Sequence, residues 1–230
     1  MTSTSTTLTQ APVSTVLQQL FTEADATSAT LRQTLSMLPA AERDALMASA
    51  RAADFRPFYE RAKEFHLAVS RETGTLLYML ARSMKARSIV EFGTSFGVST
   101  LHLAAALRDN GGGRLISTEF EAGKVRQARG TIERAGLADL VEIREGDATQ
   151  TLAGELPEQI DLVLLDGAKA LYPRILELLE PRLRAGAIVI ADNADWSEEY
   201  LARVRTGGRY LSVPFAQDVE MSMLITASPT

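Results

Sequence analysis

The chain contains no cysteine, which excludes disulfides, thiolate zinc sites and cysteine nucleophiles together. Its two histidines, His66 and His102, are too few for a multi-histidine metal site. No run of about 18 apolar residues is present that could span a bilayer. The first ten residues, rich in Ser and Thr, show neither the basic nor the apolar stretch of a secretory leader. Lysine and arginine form no runs and the formal net charge is −5, so nothing electrostatic favours a polyanionic partner. The expectation is a soluble cytoplasmic protein that binds neither nucleic acid nor membrane.

What is present is enough for one α/β domain with a full core and extra helices: 230 residues, 46% hydrophobic and 23% charged. Residues 1–13 are low in large apolar groups and read as a mobile tail. Residues 14–86 read as N-terminal helices. Leu17, Leu20, Phe21 and Ala24 share one face, Leu31, Leu35 and Leu38 repeat the spacing before Pro39, and further helices are expected over Ala41–Arg51, Pro57–Val69 and Glu72–Lys85. These apolar faces exceed what a sheet core needs, which with the resemblance described below suggests a homodimer.

From residue 87 to 230 the rhythm changes. Short apolar runs at Ser88–Glu91, Arg114–Glu119, Leu140–Ile143, Ile160–Leu165 and Ala187–Ala191 alternate with helix-length segments at Val98–Arg108, Ala122–Ala135 and Tyr172–Leu183. That alternation predicts repeated βαβ units and a doubly wound, mostly parallel sheet covered on both faces. Tyr210–Pro214 and Val219–Ile225, with no helix between them, are expected to close it as an antiparallel pair around Ala216-Gln217-Asp218, for seven strands in all. Ligands of such sheets sit beyond the carboxyl ends of the strands. Five successive strand ends carry acids there: Glu91, Glu119, Asp147, Asp166, and Asp192 with Asn193.

After the first strand comes a turn, Glu91-Phe92-Gly93-Thr94-Ser95-Phe96-Gly97. Its glycines let a ligand approach the backbone, and the following helix presents its N-terminal amides to an anion. The spacing is G-x-x-x-G, not the G-x-G-x-x-G of dinucleotide binders, which disfavours a pyrophosphate ligand and a nicotinamide-dependent oxidoreductase. Glu119, 22 residues after Gly97, ends the next strand, where a carboxylate accepts from a ribose diol. A nucleoside without a diphosphate fits both features, and S-adenosylmethionine is the common one. Taken singly, the glycines also fit a plain tight turn, Glu119 a solvated strand end and Phe120 a core position; the joint pattern carries the cofactor reading.

The strings VEFGTSFGVSTLHLAAAL, STEFE, EGDA, DLVLLDGAK and IVIADNAD, in this order, resemble the metal-dependent O-methyltransferases related to catechol and caffeoyl-CoA O-methyltransferases, over residues 64–227. The resemblance implies the Rossmann-like class I methyltransferase fold. It implies that Gly93, Thr94, Ser95, Gly97 and Ser99 border the methionine part of S-adenosylmethionine, with Glu91 close below and Val69 covering it. Glu119 would hold the ribose, Phe120 would stack near the adenine, and Asp147 with Ala148 would border the adenine edge. Asp166 would adjoin the cofactor and, with Asp192 and Asn193, hold a divalent cation: Mg2+ first, with Mn2+ or Ca2+ as alternatives. Gly167-Ala168 replace bulky residues of catechol-type relatives and the segment Arg209–Gln217 is shortened, so a wider acceptor pocket is expected.

The chemistry agrees with the residue types. In-line methyl transfer needs an anionic acceptor held collinear with methyl and sulfur, and a phenol, with a pKa of about 10, is mostly protonated near neutrality. A hard divalent cation lowers the pKa of a bound hydroxyl, and two carboxylates with one amide suit it while leaving room for substrate oxygens. Lys169, three residues after Asp166, is the expected general base; a solvated lysine is the rival reading. His66 faces either the acceptor or ordinary packing, and His102 is assigned to packing. Trp196 and Phe215 are either acceptor-site walls or core. The expected activity is O-methylation of a small, phenolic or catechol-like acceptor; a tRNA nucleoside O-methyltransferase and a non-catalytic S-adenosylmethionine-binding protein are the alternatives.

Overall fold

Apolar residues run almost unbroken through the central strands because both sheet faces are covered. In the computed structural model, which describes residues 5–51, 58, 68–215 and 218–225, the strands are β1 (Ser88–Phe92), β2 (Arg114–Glu119), β3 (Val141–Glu145), β4 (Ile160–Leu165), β5 (Leu183–Ala191), β6 (Tyr210–Phe215) and β7 (Val219–Leu224). They form one seven-stranded sheet in the order β3-β2-β1-β4-β5-β7-β6. β1 to β5 are parallel, while β7 runs antiparallel to both β5 and β6. The chain steps outward from β1 through β2 to β3 and then returns to β4 on the other side of β1. The switch in strand order therefore lies between β1 and β4, which is where such sheets open a ligand crevice.

Side chains alternate between two cores. Ile89, Leu115, Leu162, Leu164 and Ile190 face one; Val90, Ile116, Val163, Leu165 and Val189 face the other. The first core is covered by α1 (Val13–Met37), α3 (Arg71–Ser83), α4 (Val98–Asp109) and α5 (Ala122–Arg134), the second by α6 (Ala148–Thr151), α7 (Tyr172–Leu179) and α8 (Glu198–Thr206). α2 (Ala40–Arg51) is mostly exposed. Within α4 every residue from Val98 to Leu107 is buried, and its Ala104-Ala105-Ala106 run lets the helix lie close to its neighbours.

Four expectations change. The tail expected over residues 1–13 is packed in its described part: Thr7 donates its backbone N–H and its hydroxyl to Asp109 at the end of α4, Tyr78 donates to the same carboxylate at 2.7 Å, and α1 begins at Val13, already buried. Of the helix expected over 57–69, residues 57 and 59–67 lie outside the described residues, and Ala68 and Val69 are not helical. Ser70 instead starts α3 by accepting from the Thr73 N–H at 3.0 Å. The helix expected to reach Leu183 stops at Leu179 and passes through a 3-10 turn at Glu180–Arg182, since Pro181 cannot continue it; Leu183 belongs to β5. α8 was not anticipated, although Glu198-Glu199 at its start, Arg203 and Arg205 in its last turn and Gly207-Gly208 after it mark its ends. Ala216 and Gln217, in the expected β6–β7 turn, lie outside the described residues.

Candidate functional site

The turn after β1 is pressed onto the chain leaving β4. Gly93 has φ +105°, and a Cβ there would stand 2.6 Å from the Asp166 carbonyl oxygen and 2.8 Å from the Gly167 nitrogen. The Asp166 N–H donates to the Phe92 carbonyl at 2.8 Å, and the Gly93 and Thr94 N–H groups both donate to the Thr118 carbonyl. β1, β2 and β4 are thus locked together at their carboxyl ends. Gly97, with φ +93°, turns the backbone into α4. Gly167 is needed because the Phe92 ring occupies the space its side chain would fill.

This edge opens into a cavity of about 290 Å3, lined by Gly93, Ser95, Glu119, Phe120, Asp147, Ala148 and Asp166 among the expected residues. That is near the lower end of small-molecule pockets, roughly 300 Å3. A narrower space of about 10 Å3 adjoins it, lined by Val69, Gly93, Thr94, Ser95, Ser99 and Asp166. Gly93, Ser95 and Asp166 border both. The Ser95 hydroxyl is buried with no hydrogen-bond partner among the described residues, so a polar ligand atom is what would satisfy it.

Glu119 is held by three backbone N–H donors: Ser95 to Oε2 at 2.9 Å, and Phe120 and Glu121 to Oε1 at 3.0 Å each. Burial pushes its carboxyl up, and these donors with the Lys124 ammonium pull it back. A carboxylate offers about four lone-pair sites, so at least one remains for a ligand hydroxyl. Asp147 caps α6, accepting from the Thr149 N–H at 2.8 Å and hydroxyl at 2.7 Å. Phe120 is partly exposed at the rim.

Glu91, expected close below the cofactor, lines neither cavity. Residues alternate along β1, and Glu91 points beneath the turn, where Ser99, Thr100 and Ser117 donate hydroxyls to it at 2.5, 2.6 and 2.5 Å. Burial pushes its carboxyl up to about 7. The Thr94 hydroxyl likewise turns inward, to Ser117 and the Thr118 carbonyl.

At the far side of Asp166 sits a second group of charges. Lys169 donates to Asp166 Oδ1 at 3.0 Å, and its ammonium lies 5.4 Å from the Tyr172 ring centre. Asp192 ends β5 beside β4, its N–H donating to the Leu165 carbonyl at 2.9 Å. Burial first, and the neighbouring Asp166 carboxylate second, push Asp192 up to about 8. Asn193, in a left-handed conformation at φ 47°, donates from Nδ2 to Asp218 at 3.0 Å, so its amide oxygen is the atom of the group that could accept or ligate. Among the described residues no set of three His, Cys, Asp or Glu side chains could hold a metal; the expected trio has two carboxylates and one amide.

Trp196 and Phe215 line neither cavity. His102 is a packing residue, its ring against Gly74 and edge-on to Phe21, with Nδ1 2.8 Å from the Val98 carbonyl. His66 lies outside the described residues. Gly167 and Ala168, expected to widen the acceptor pocket, line the larger cavity; lining residues that the sequence did not single out are Thr118, Glu121, Lys124, Gly146 and Leu171. The first turn of α5 could have been found, because a helix entered from a strand's carboxyl end begins at the ligand edge.

Residues 90–194 match a family model described as a methyltransferase domain. A Mycolicibacterium vanbaalenii protein assigned as an O-methyltransferase is 32% identical over 183 residues, 74% of this chain and 75% of its own length. The chain belongs to the class I S-adenosylmethionine-dependent O-methyltransferases. Catechol O-methyltransferase of Niastella koreensis is 35% identical over 130 residues, 55% of this chain; the match spans only 58% of that relative's length. Among solved structures, the O-methyltransferase TomG of Streptomyces achromogenes, in complex with S-adenosylmethionine, superimposes with a TM-score of 0.63 at 27% identity, covering 79% of this chain and 90% of that one.

Proposed function

We propose that this methyltransferase-family protein moves a methyl group from S-adenosylmethionine to a hydroxyl of a small, phenolic or catechol-like acceptor, with a divalent cation, Mg2+ first, at the acceptor site. The observation that carries the reading is the position of Asp166, which borders the nucleoside-sized cavity on one side and adjoins Asp192 and Lys169 on the other. Relatives named for catechol O-methylation, and a neighbour holding S-adenosylmethionine, support it.

The residues present fit both groups. For the cofactor, the unpartnered Ser95 hydroxyl, the remaining lone pair of Glu119 and the free N–H groups at the start of α4 offer one donor-acceptor, one acceptor and an anion site. For the cation, two neighbouring carboxyls lie beside one ammonium; burial and Asp166 push Asp192 up to about 8, a bound cation would let both carboxyls ionise, and the Asn193 carbonyl oxygen adds a neutral ligand. Bound there, a divalent cation would lower the pKa of the acceptor hydroxyl, and the sulfonium would supply the methyl group.

The chain's own part is positioning. Glu119 would hold the ribose and the Gly93 turn the methionine end, with Asp166 bordering the same cavity on the acceptor side. Lys169 would take the acceptor proton only as the neutral amine, so the ammonium that donates to Asp166 must first release a proton to solvent. At the edge of the sheet, Leu211, Val213 and Phe215 form an exposed apolar row on β6, suited to a second copy of the chain. The test of function is methyl transfer from labelled S-adenosylmethionine to a panel of phenols and catechols, with bulk tRNA as comparison. Labelled small-molecule product supports the reading; labelled tRNA alone, or no product with any acceptor, overturns it.

A further inference from the structure

Lys124 is absent from the motifs that carry the family resemblance, yet it lines the larger cavity from the first turn of α5 and is only 5% exposed. Burying an ammonium costs several kcal/mol unless it is matched, so its surroundings show what it serves. Its Nζ lies 5.4 Å from the centre of the Phe96 ring, in the glycine turn. Its charge also acts on Glu119 and on Glu121, the cap of its own helix. Lys124 therefore links α5 to the two walls between which the nucleoside end of the cavity opens, the turn after β1 and the end of β2.

We propose that Lys124 is a positioning residue for cofactor binding, supplying the countercharge that lets buried Glu119 accept a ligand's vicinal hydroxyls while it braces Phe96 and the turn. This rests on the cofactor reading above. Three backbone donors already aim the Glu119 carboxylate, but they do not cancel a full negative charge in a buried place. The other charged groups that share the cavity with Glu119 are acids: Glu121 before α5, Asp147 before α6 and Asp166 after β4. Glu145, its register neighbour on β3, has Arg129 at 4.0 Å. Lys124 is the cation that lines the cavity among the described residues.

The sign follows. Without Lys124 the Glu119 carboxyl holds its proton to higher pH, and a protonated carboxyl is a poorer acceptor for a diol. The test is S-adenosylhomocysteine affinity by calorimetry for the wild type, Lys124→Met, Lys124→Arg and Glu119→Gln, each at about pH 6 and about pH 8. Lys124→Met should bind roughly tenfold weaker at about pH 6, with the gap narrowing at about pH 8. Lys124→Arg should restore the wild-type profile, and adding Lys124→Met to Glu119→Gln should change the profile no further. If Lys124→Met melts below the assay temperature, Lys124→Gln makes the same comparison. A Lys124→Met or Lys124→Gln protein that binds with the wild-type pH profile overturns this inference alone. No binding by the wild type at either pH overturns the cofactor reading and this inference with it.

Discussion

Gly93→Ala tests the contact that sets the site. At φ +105° an alanine is strained, by roughly 1–2 kcal/mol for the left-handed side of conformational space. Its Cβ also meets backbone, 2.6 Å from the Asp166 carbonyl oxygen, where no flexible side chain can move aside. Overlap of that kind costs roughly 1–3 kcal/mol and separates β1 from β4. The control is Gly97→Ala, with φ +93° but its nearest neighbour, Thr131 Cγ2, 3.7 Å away, so it carries the strain without the overlap. At roughly 2–4 °C per kcal/mol for a chain of this length, Gly93→Ala should melt about 10 °C below the wild type and Gly97→Ala about 5 °C below, by circular dichroism. Equal losses in the two variants would refute the claim that the turn after β1 rests directly on Asp166.

Two further outcomes follow from buried and exposed groups. Glu91 is raised from 4.5 to about 7 in the fold, so the folded chain keeps a proton that the unfolded chain releases. Stability should then fall as pH rises between those values, by up to roughly 3 kcal/mol. Glu91→Gln should flatten that slope in urea titrations at about pH 5 and about pH 8; an unchanged slope would reject the assignment. Light scattering at micromolar concentration should give a dimer mass, and Leu211→Asp with Val213→Asp should reduce it to the monomer; a monomeric wild type removes the proposed second copy.

The sheet was legible because the strand runs are apolar on both faces and helix-length segments separate them. The acids ending β1 to β5 could also be placed at one edge, since a parallel sheet puts all its carboxyl ends together. Legibility failed where depth along a strand decides. Glu91 and Glu119 look alike as strand-end acids, but Glu91 is in register with Ser117, two residues short of Glu119, which sets it beneath the turn among three hydroxyls and leaves Glu119 at the cavity. Lys124 was hidden for a different reason: a lysine in an amphipathic helix reads as solvated surface, and only its burial beside the Phe96 ring, on a cavity wall shared with Glu119, shows a buried cation. The ordered N-terminal turn depends on Asp109, a partner about 100 residues away that no local pattern reveals.

Manganese binding is the most direct measurement of the central claim, that oxygens of Asp166, Asp192 and Asn193 hold one divalent cation beside the cofactor cavity. Electron paramagnetic resonance titration of Mn2+ should find a single site per chain, displaced by Mg2+ and lost in both Asp166→Asn and Asp192→Asn while the fold persists by circular dichroism. Absence of bound Mn2+ in the wild type with S-adenosylhomocysteine present, or full retention in both variants, would contradict it.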